Sequence, residues 1–264
     1  MRSPAGAAPP LPAAFRWIDQ PWGLGLQCVP LALAGISIHG WTTRELAILA
    51  VPAECESQWH QLAASGGVPR GSLTAVHQVH GAAVIDPQGG PADERPRADG
   101  LVSRDPSLML TVRVADCAAL LIADSRLGAV AAVHAGWRGT AAGIAVAAVA
   151  RLRELYGSRP EDLVAALGPS IGPCCYTVGA ELVDAFRDGG HGESEIGRWF
   201  RQDRSLQLNL WMANREQLEA AGVPAPAIYV SGLCTACHPD WFYSYRREGA
   251  AAGRLVGFIR ASGA

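Results

Sequence analysis

The sequence predicts a layered α/β protein, and three observations support this fold class. Short apolar runs of strand length recur along most of the chain, and β-branched residues are common in residues 109–115. One such run, residues 129–134, leads through the glycine-rich loop GWRG into a helix that ends near Tyr156. The length of 264 residues suits one large α/β domain or two small ones. A strand, a loop and a helix in this order form half of a layered α/β unit.

The individual elements follow from apolar periodicity and from turn residues. The Ala- and Pro-rich residues 1–15 are predicted to be a disordered tail, and residues 16–264 are predicted to form a single domain that uses one sheet system. Residues 242–245 alternate in character and are predicted either to be a strand or to stack on a base or sugar. Strands are predicted at residues 35–38, 46–51, 82–85, 109–115, 119–123, 129–134, 163–167 and 227–231, and helices at residues 57–64, 140–156, 180–186 and 208–221.

Composition excludes several classes of function. Apolar residues make up 49% and charged residues 17% of the chain, which is typical of a globular protein. The formal net charge of −2 does not indicate binding to nucleic acid, and no run is long and apolar enough to span a membrane. The N-terminal segment lacks the apolar core of a signal peptide. We therefore expect a cytoplasmic protein, acting as a monomer, with neither nucleic acid nor membrane as a partner.

Three side chains that can bind a metal stand at turns that follow strands. They are His80, Cys117 and His134. Two imidazoles and one thiolate make a catalytic zinc set, in which a fourth position stays open for water or substrate. The same set suits blue copper, but that site needs a weak axial ligand such as methionine, and the internal methionines Met109 and Met212 do not closely follow the cysteine. Zinc is therefore expected ahead of copper.

The same residues allow two readings without metal. Cys117 could be a nucleophile with His134 or His80 as its base, and Asp116 could orient that base or simply form a turn. Alternatively, Cys117 could be a buried small hydrophobe beside two hydrogen-bonded histidines. The spacing of these residues does not choose among the three readings.

The other cysteines are predicted to be structural. The chain has seven cysteines, and the odd number argues against a disulfide framework. The segment CTACH, residues 234–238, matches a c-type haem attachment pattern, but such attachment normally accompanies export. A metal site built on Cys234 and Cys237 needs two more ligands, and the adjacent Cys174 and Cys175 are too closely spaced for a regular ligand pair.

Glycine-rich and arginine-rich segments indicate an anion site. GWRGT, residues 136–140, opens a helix whose N–H groups could hold a phosphate together with Arg138. Arg246, Arg247 and Arg254 add guanidinium groups suited to phosphate or carboxylate. The chain lacks the glycine-rich fingerprints of nucleoside triphosphate and NAD sites, so neither ligand is expected.

The motifs together resemble one known family. QVHG at residues 78–81, ADC at 115–117, HAGWRGT at 134–140, GPSIGPCCY at 168–176 and FYSYRREG at 242–249 occur in this order. They look like the multicopper polyphenol oxidase (laccase)-like family, which also carries the names YfiH, purine nucleoside phosphorylase and peptidoglycan editing factor. The resemblance covers about residues 73–260 and implies a single layered α/β/α domain with a mixed sheet, similar to putative cysteine hydrolases.

The resemblance also implies an activity and the residues that carry it. His80, Cys117 and His134 fall on the family's zinc ligands and serve as its catalytic centre. The implied reaction is phosphorolysis of adenosine, inosine and methylthioadenosine, with adenosine deamination as a further activity, so the expected partners are a purine nucleoside and phosphate. The implied substrate-binding residues are Arg138, Ser170, Tyr176 and Arg246.

Two other functions stay open from the sequence. One is a metal-free Cys–His hydrolase that acts on peptidoglycan precursors, as the editing-factor name implies. The other is a catalytically inactive metal-binding or interaction module. That alternative depends on the N-terminal region, where ELAILAVP follows Thr43-Arg44 in place of the family's Gly-Gly-x-Ser stretch.

Overall fold

The computed structural model describes residues 7–49, 55–87 and 95–262. The strands are β1 (Phe15–Gln20), β2 (Gly23–Cys28), β3 (His39–Thr42), β4 (Leu73–Thr74), β5 (Val84–Ile85), β6 (Gly100–Ser103), β7 (Met109–Val114), β8 (Ala118–Asp124), β9 (Val130–Ala135), β10 (Leu163–Leu167), β11 (Phe200–Gln202), β12 (Leu206–Leu208), β13 (Ile228–Val230) and β14 (Leu255–Arg260). The helices are α1 (Val29–Leu33), α2 (Glu56–Ser65), α3 (Trp137–Ala141), α4 (Ile144–Tyr156), α5 (Glu181–Asp188), α6 (Glu193–Trp199), α7 (Leu210–Ala220) and α8 (Tyr245–Glu248). Short 3-10 turns occupy Arg70–Ser72, Pro160–Asp162, Ala225–Ala227 and Gly249–Ala251.

The strands form two large mixed sheets. The first sheet has the order β1-β2-β3-β14-β7-β4, and the second has the order β13-β10-β8-β9-β6-β5. Most neighbours are antiparallel, whereas β4 with β7, β5 with β6 and β10 with β13 are parallel. A separate hairpin joins β11 to β12. The predicted α/β class with mixed sheets is confirmed.

The two sheets stack face to face, with helices on both outer sides. The largest core cluster joins residues of β7 and β14 in the first sheet to residues of β6, β8 and β9 in the second. Helix α4 packs its apolar face on the other side of the second sheet. Helix α2 packs on the outer side of the first sheet. The layer order is thus helix, sheet, sheet, helix. The sequence predicted one sheet system, whereas the structure has two stacked sheets.

The sheets approach closely where Gly257 of β14 faces β8. A side chain at this position would place its Cβ only 2.7 Å from the Cβ of Ala119. Beside this contact, the indole N–H of Trp41 donates a hydrogen bond to the carbonyl of Ala119 at 3.0 Å. Because Ala119 lies two residues after Cys117, this contact fixes the sheet end that carries the cysteine.

Several predicted elements agree with the structure. The helices predicted at residues 57–64, 180–186 and 208–221 correspond to α2, α5 and α7. The strands predicted from residue 82 onward correspond to β5, β7, β8, β9, β10 and β13.

Other predicted elements differ, and local packing explains why. The strand predicted at residues 35–38 is wrong, because the extended segment begins at His39. The predicted helix over residues 140–156 is two helices, because Gly143 has a φ of +75° and breaks the run. Residues 242–244 do not form a strand, and α8 begins at Tyr245. Within the strand predicted at residues 46–51, Ile48 forms one isolated bridge, and residues 50 and 51 lie outside the described residues.

The N-terminal region contains structure that periodicity did not reveal. Residues 15–28 form the β1–β2 hairpin of the first sheet. In the segment predicted to be a tail, Ala8, Leu11 and Ala14 pack against the main core, whereas residues 1–6 lie outside the described residues. Among the described helices, none has the length and apolarity needed to cross a membrane.

We predict that Gly257→Ala lowers the free energy of unfolding by about 1–3 kcal/mol, because the added methyl overpacks the space between the sheets. Gly197→Ala is the matched control, since a Cβ at this exposed position on α6 meets nothing within 4 Å. Urea denaturation of both variants measures the difference. Equal midpoints for the Gly257 variant and the wild type would contradict the close approach.

Candidate metal centre

Strand register brings Cys117 and His134 to the same end of the second sheet. On β9, His134 pairs with Ala119 of β8, two residues after Cys117. On the other side of β9, the backbone N–H of His134 donates to the carbonyl of Asp99 at 2.7 Å. Asp99 immediately precedes β6, so the starts of β6 and β8 and the end of β9 meet at this one place.

His80 reaches the same place through the turn between β4 and β5. The backbone N–H groups of Val79, His80 and Gly81 donate to the carboxylate of Asp99 at 3.2, 2.9 and 2.7 Å. His80 has a φ of +61°, a conformation that is strained for a residue with a side chain. The three hydrogen bonds to one carboxylate hold the turn in this conformation.

The Asp99 carboxylate also orients His134. Its Oδ1 atom lies 2.8 Å from Nδ1 of His134, and both side chains are buried. Burial alone would raise the pKa of Asp99, but hydrogen bonds from His134 and from the backbone of Gly81 and His80 lower it below its ordinary value. Asp99 is therefore a carboxylate that accepts the Nδ1 proton and leaves Nε2 of His134 for a ligand.

The three predicted donors converge. Ligand atoms of His80, Cys117 and His134 all lie within 4.8 Å of one another. The two imidazole rings are nearly perpendicular, with an interplanar angle of 84° and centroids 4.8 Å apart. An ion with metal–ligand bonds of about 2.0–2.3 Å holds tetrahedral donors about 3.3–3.8 Å apart. Two nitrogens and one sulfur at this spacing fit a single transition-metal ion.

The unliganded donors form a charged pair. Burial would raise the pKa of the Cys117 thiol, but the charge of His134 and hydrogen bonds from His134 and His80 lower it to about 6. Burial would lower the pKa of His134, but the Cys117 thiolate and the Asp99 carboxylate raise it to about 9. At neutral pH Cys117 is therefore a thiolate beside an imidazolium, and the thiolate is the form that binds metals.

Two glycines of the HAGWRG segment make room for the centre. A Cβ at Gly136 would lie 2.9 Å from Sγ of Cys117 and 3.4 Å from Cδ2 of His80. A Cβ at Gly139 would lie 2.8 Å from the carbonyl oxygen of Gly81. These positions therefore require glycine so that α3 can approach the histidine turn.

Three of the four predicted substrate-binding residues lie around the centre. Burial raises the pKa of Tyr176 above its ordinary range, the negative charges of Cys117 and Asp116 raise it further, and the guanidinium groups of Arg246 and Arg138 oppose them. Tyr176 is thus close enough to the Cys117 thiol and to both arginines for their charges to shift its pKa. The guanidinium carbon of Arg246 lies 5.2 Å from the centroid of the Tyr176 ring.

Ser170, the fourth predicted residue, occupies a different environment. Its side chain is fully buried, and its hydroxyl accepts a hydrogen bond from the indole N–H of Trp211 at 2.6 Å. Its backbone N–H donates to the carbonyl of Leu233, and its carbonyl accepts from the N–H of Thr235. Ser170 therefore joins two loops.

Asp116 supports the other side of the centre. Its carboxylate accepts hydrogen bonds from the hydroxyl of Thr235 and from the backbone N–H of Arg246, both at 2.6 Å. Its carbonyl accepts from the N–H of Ile171, and its φ is +87°. Asp116 is therefore more than a turn former, because it connects three segments beside Cys117.

Sequence reasoning missed the contacts that Asp99 and Thr235 make beside the centre. Asp99 lies in the segment ADG just before an apolar strand, a position that usually marks a simple turn. Its role depends on pairing between β6 and β9, which lie 30 residues apart in the chain. No strand was predicted at residues 100–103, so the sequence offered no local signal for this pairing.

We predict that Asp99→Asn lowers metal affinity by about 10- to 100-fold, because an amide group cannot accept all four hydrogen bonds. Asp105→Asn is the control, since Asp105 is exposed and caps the turn at Ser107. A chelator competition titration measures both affinities. An unchanged affinity in the Asp99 variant would show that this carboxylate does not orient the ligands.

We also predict that the pKa of the Cys117 thiol lies below its ordinary value in metal-free protein. Because its pKa is lowered to about 6, its alkylation rate stays near the plateau from pH 9 to pH 7 and falls as the pH passes below 6. His134→Asn removes the neighbouring cation and shifts this titration to higher pH. Iodoacetamide labelling with peptide mass spectrometry measures each rate, and a rate that still climbs steeply above pH 8 in the wild type would refute the pairing.

The chain is similar in sequence to several known proteins. The chain is 41% identical over 164 residues to a protein from Geobacillus stearothermophilus named purine nucleoside phosphorylase YlmD, covering 62% of this chain and 60% of that protein. It is 37% identical over 201 residues to a protein of an unknown prokaryotic organism named adenosine deaminase RL5, covering 73% of this chain and 76% of that protein. The match to a phosphorylase from Bacteroides thetaiotaomicron likewise spans 60% of the relative's length.

The fold also has a solved counterpart. The crystal structure of YlmD from Geobacillus stearothermophilus superposes with a TM-score of 0.84 at 32% identity, covering 96% of this chain and 100% of that chain. A family model described as multi-copper polyphenol oxidoreductase laccase matches residues 42–262. Since this match includes all three converging donors and most of the chain, the protein belongs to the multi-copper polyphenol oxidoreductase laccase family.

Proposed function

We propose that the protein is a zinc-dependent purine nucleoside phosphorylase that acts as a monomer on adenosine, inosine and methylthioadenosine. One observation carries the proposal. His80, Cys117 and His134 converge, oriented by Asp99, in a chain whose relatives include proteins named purine nucleoside phosphorylase.

The donor chemistry supports zinc. A thiolate and two imidazoles suit this borderline-soft ion, and the Asp99–His134 hydrogen bond is the outer-shell partner usual for a zinc-bound histidine. Copper in a site of this kind needs a weak axial ligand such as methionine. Met109 packs in the core cluster outside the first sheet, and Met212 lies on the surface of α7. When bound, zinc would supply Lewis acidity and lower the pKa of a coordinated water to about 7.

Arg138 and Arg246 are the proposed phosphate ligands. Neither forms a salt bridge with any carboxylate of residues 7–49, 55–87 or 95–262, so both charges are available to an anion. Arg138 lies over the Trp137 ring at 4.2 Å, and Arg246 lies over the Tyr176 ring while donating to the carbonyl of Thr177 at 2.8 Å. Stacking holds each guanidinium plane and limits the entropy lost when an anion binds.

Tyr176 and its loop are proposed to shape the nucleoside pocket. The loop at residues 168–177 is anchored at one end by the buried Ser170 and brings the half-buried Tyr176 next to the centre. Its ring offers an apolar wall of the kind that purine and ribose surfaces prefer. Ser170 thus contributes by holding this loop in place.

This arrangement matches the demands of phosphorolysis. The reaction forms a bond between a phosphate oxygen and C1′ of the ribose, and it breaks the bond between C1′ and the purine nitrogen. Fixed cations align the phosphate with C1′ and stabilise charge that shifts during the transfer. Arg138 and Arg246 would perform both tasks.

Adenosine deamination is a second candidate activity. It is favoured by the relative named adenosine deaminase, whose alignment covers 76% of that protein. Zinc deaminases replace the exocyclic amine of the purine with a hydroxyl from water. Deamination requires no phosphate and yields inosine and ammonia, so the two activities are separable in one assay.

The lowered pKa of Cys117 favours a third candidate, a metal-free hydrolase with Cys117 as nucleophile and His134 as its base. That activity would survive chelators and would be lost on alkylation. Zinc-dependent activity shows the opposite response to a chelator.

The decisive assay incubates zinc-loaded protein with adenosine, with and without inorganic phosphate. Chromatography is expected to show adenine and ribose 1-phosphate that form only with phosphate. Inosine without adenine would favour the deaminase, and an absence of product from all three nucleosides would overturn the proposed function.

We predict that Arg138→Gln and Arg246→Gln each raise the KM for phosphate by about 10-fold, because each removes one charge-assisted hydrogen-bond donor. Zinc content should not change. Arg104→Gln is the matched control, since Arg104 is exposed beyond the opposite end of β6. Initial rates at varied phosphate concentration test the expectation, which fails if the three variants behave alike.

A further inference from the structure

A second group of metal-binding side chains lies outside the centre described above. The Sγ atoms of Cys174, Cys175, Cys234 and Cys237 all lie within 4.8 Å of one another. The sequence predicted structural cysteines, because Cys174 and Cys175 are too closely spaced for a regular ligand pair. In the structure, the turn at residues 172–176 brings the Sγ atoms of both residues close to that of Cys237.

The spacing of the sulfur atoms matches a single ion. Sγ of Cys237 lies 3.6 Å from that of Cys174 and 3.4 Å from that of Cys175. A tetrahedral zinc ion with Zn–S bonds of about 2.3 Å places its sulfurs about 3.8 Å apart. An iron–sulfur cluster binds its cysteines to different irons, so its thiolates lie farther apart than ligands of one ion.

The backbone around these sulfurs has the form of a metal-binding turn. Cys234 and Cys237 form a C-x-x-C segment in which the N–H groups of Cys237 and His238 both donate to the Cys234 carbonyl at 3.2 Å. The N–H of Gly172 donates to Sγ of Cys234 at 3.3 Å. Hydrogen bonds of this kind stabilise a thiolate, which is the form that binds metal.

Within residues 7–49, 55–87 and 95–262, no arginine donates a hydrogen bond to any of these four sulfur atoms. The nearby Arg247 donates instead to the carbonyl of Ala236 at 3.3 Å. Four thiolates at this spacing repel one another strongly, so they can share the space only as neutral thiols or around a cation. Four soft ligands in a tetrahedral volume select zinc over magnesium or calcium.

We propose that Cys174, Cys175, Cys234 and Cys237 bind one Zn²⁺ ion in a structural tetrathiolate site. The ion has four protein ligands and no open position, which distinguishes it from the three-ligand centre at His80, Cys117 and His134. The site does not depend on the proposed phosphorylase activity, because it shares no ligand with the proposed catalytic centre.

The ion would clamp together two loops that shape the proposed pocket. Cys174 and Cys175 precede Tyr176 on one loop, and Cys234 precedes Thr235 on the other. The hydroxyl of Thr235 donates a hydrogen bond to the carboxylate of Asp116, the residue that precedes Cys117. The tetrathiolate site is therefore the outer anchor of the polar network that supports the proposed catalytic cysteine.

The test is metal analysis of full-length protein purified with zinc in the growth medium. We expect about two zinc ions per chain in the wild type and about one in Cys117→Ala. The double variant Cys174→Ser/Cys237→Ser should also retain about one, and combining all three substitutions should leave none. Cys28→Ala is the control, since Cys28 is a buried thiol outside both groups.

A second measurement keeps the outcome clear if a variant folds poorly. Cobalt substitution of the Cys117→Ala protein should give the intense visible bands of tetrahedral cobalt–thiolate coordination. Cys174→Ser and Cys237→Ser alter exposed residues, so we expect both variants to fold. Because they lose the proposed structural ion, their thermal midpoint should fall by about 5 °C or more. Catalytic-centre zinc and Cys117 reactivity should persist in these variants.

Three results would overturn the proposal. The first is a Cys117→Ala protein that binds neither zinc nor cobalt. The second is a disulfide between Cys237 and Cys174 or Cys175 in metal-free protein isolated under anaerobic conditions. The third is one iron per chain at this site with visible charge-transfer absorption.

Discussion

The buried Asp99 carboxylate is the constraint on which the proposed centre depends. It accepts hydrogen bonds from three consecutive backbone N–H groups of the QVHG turn and from Nδ1 of His134. One side chain therefore sets the strained backbone of His80 and the ring orientation of His134 together. Removal of Asp99 would leave four donors without an acceptor in a buried place, which costs about 1–3 kcal/mol for each unsatisfied group. A carboxylate that accepts a hydrogen bond from a metal-binding histidine is the outer support that metal centres usually require.

Asp116 plays the corresponding part on the other side of Cys117. Like His80, it has a positive φ, and its strained backbone is held by bonds to Ile171, Thr235 and Arg246. Those partners belong to the segments that carry Tyr176, the C-x-x-C turn and the second arginine. The proposed metal ligands, the proposed phosphate ligands and the proposed tetrathiolate site thus belong to one connected network.

Local patterns in the sequence predicted several strands and singled out three side chains that lie together in the structure. Short apolar strands can be predicted locally, so β7, β8 and β9 were predicted, and His80, Cys117 and His134 were singled out at predicted strand ends. The β1–β2 hairpin was missed because Pro21 and several glycines interrupt its alternation. The hydrogen bonds of Asp99 and the convergence of the four cysteines were missed because they arise from contacts between segments that are distant in the chain, including the approach of Cys174 to Cys237 across 63 residues. Local patterns carry no information about such approaches.

The central claim is that His80, Cys117 and His134 hold a zinc ion that Asp99 helps to position. Anomalous diffraction from crystals of the purified protein, recorded on both sides of the zinc absorption edge, tests it most directly. We predict an anomalous peak bounded by the two imidazoles and Sγ of Cys117, with Nδ1 of His134 still bonded to Asp99. The absence of a peak there, in crystals of protein that remains active on adenosine with phosphate, would contradict this claim.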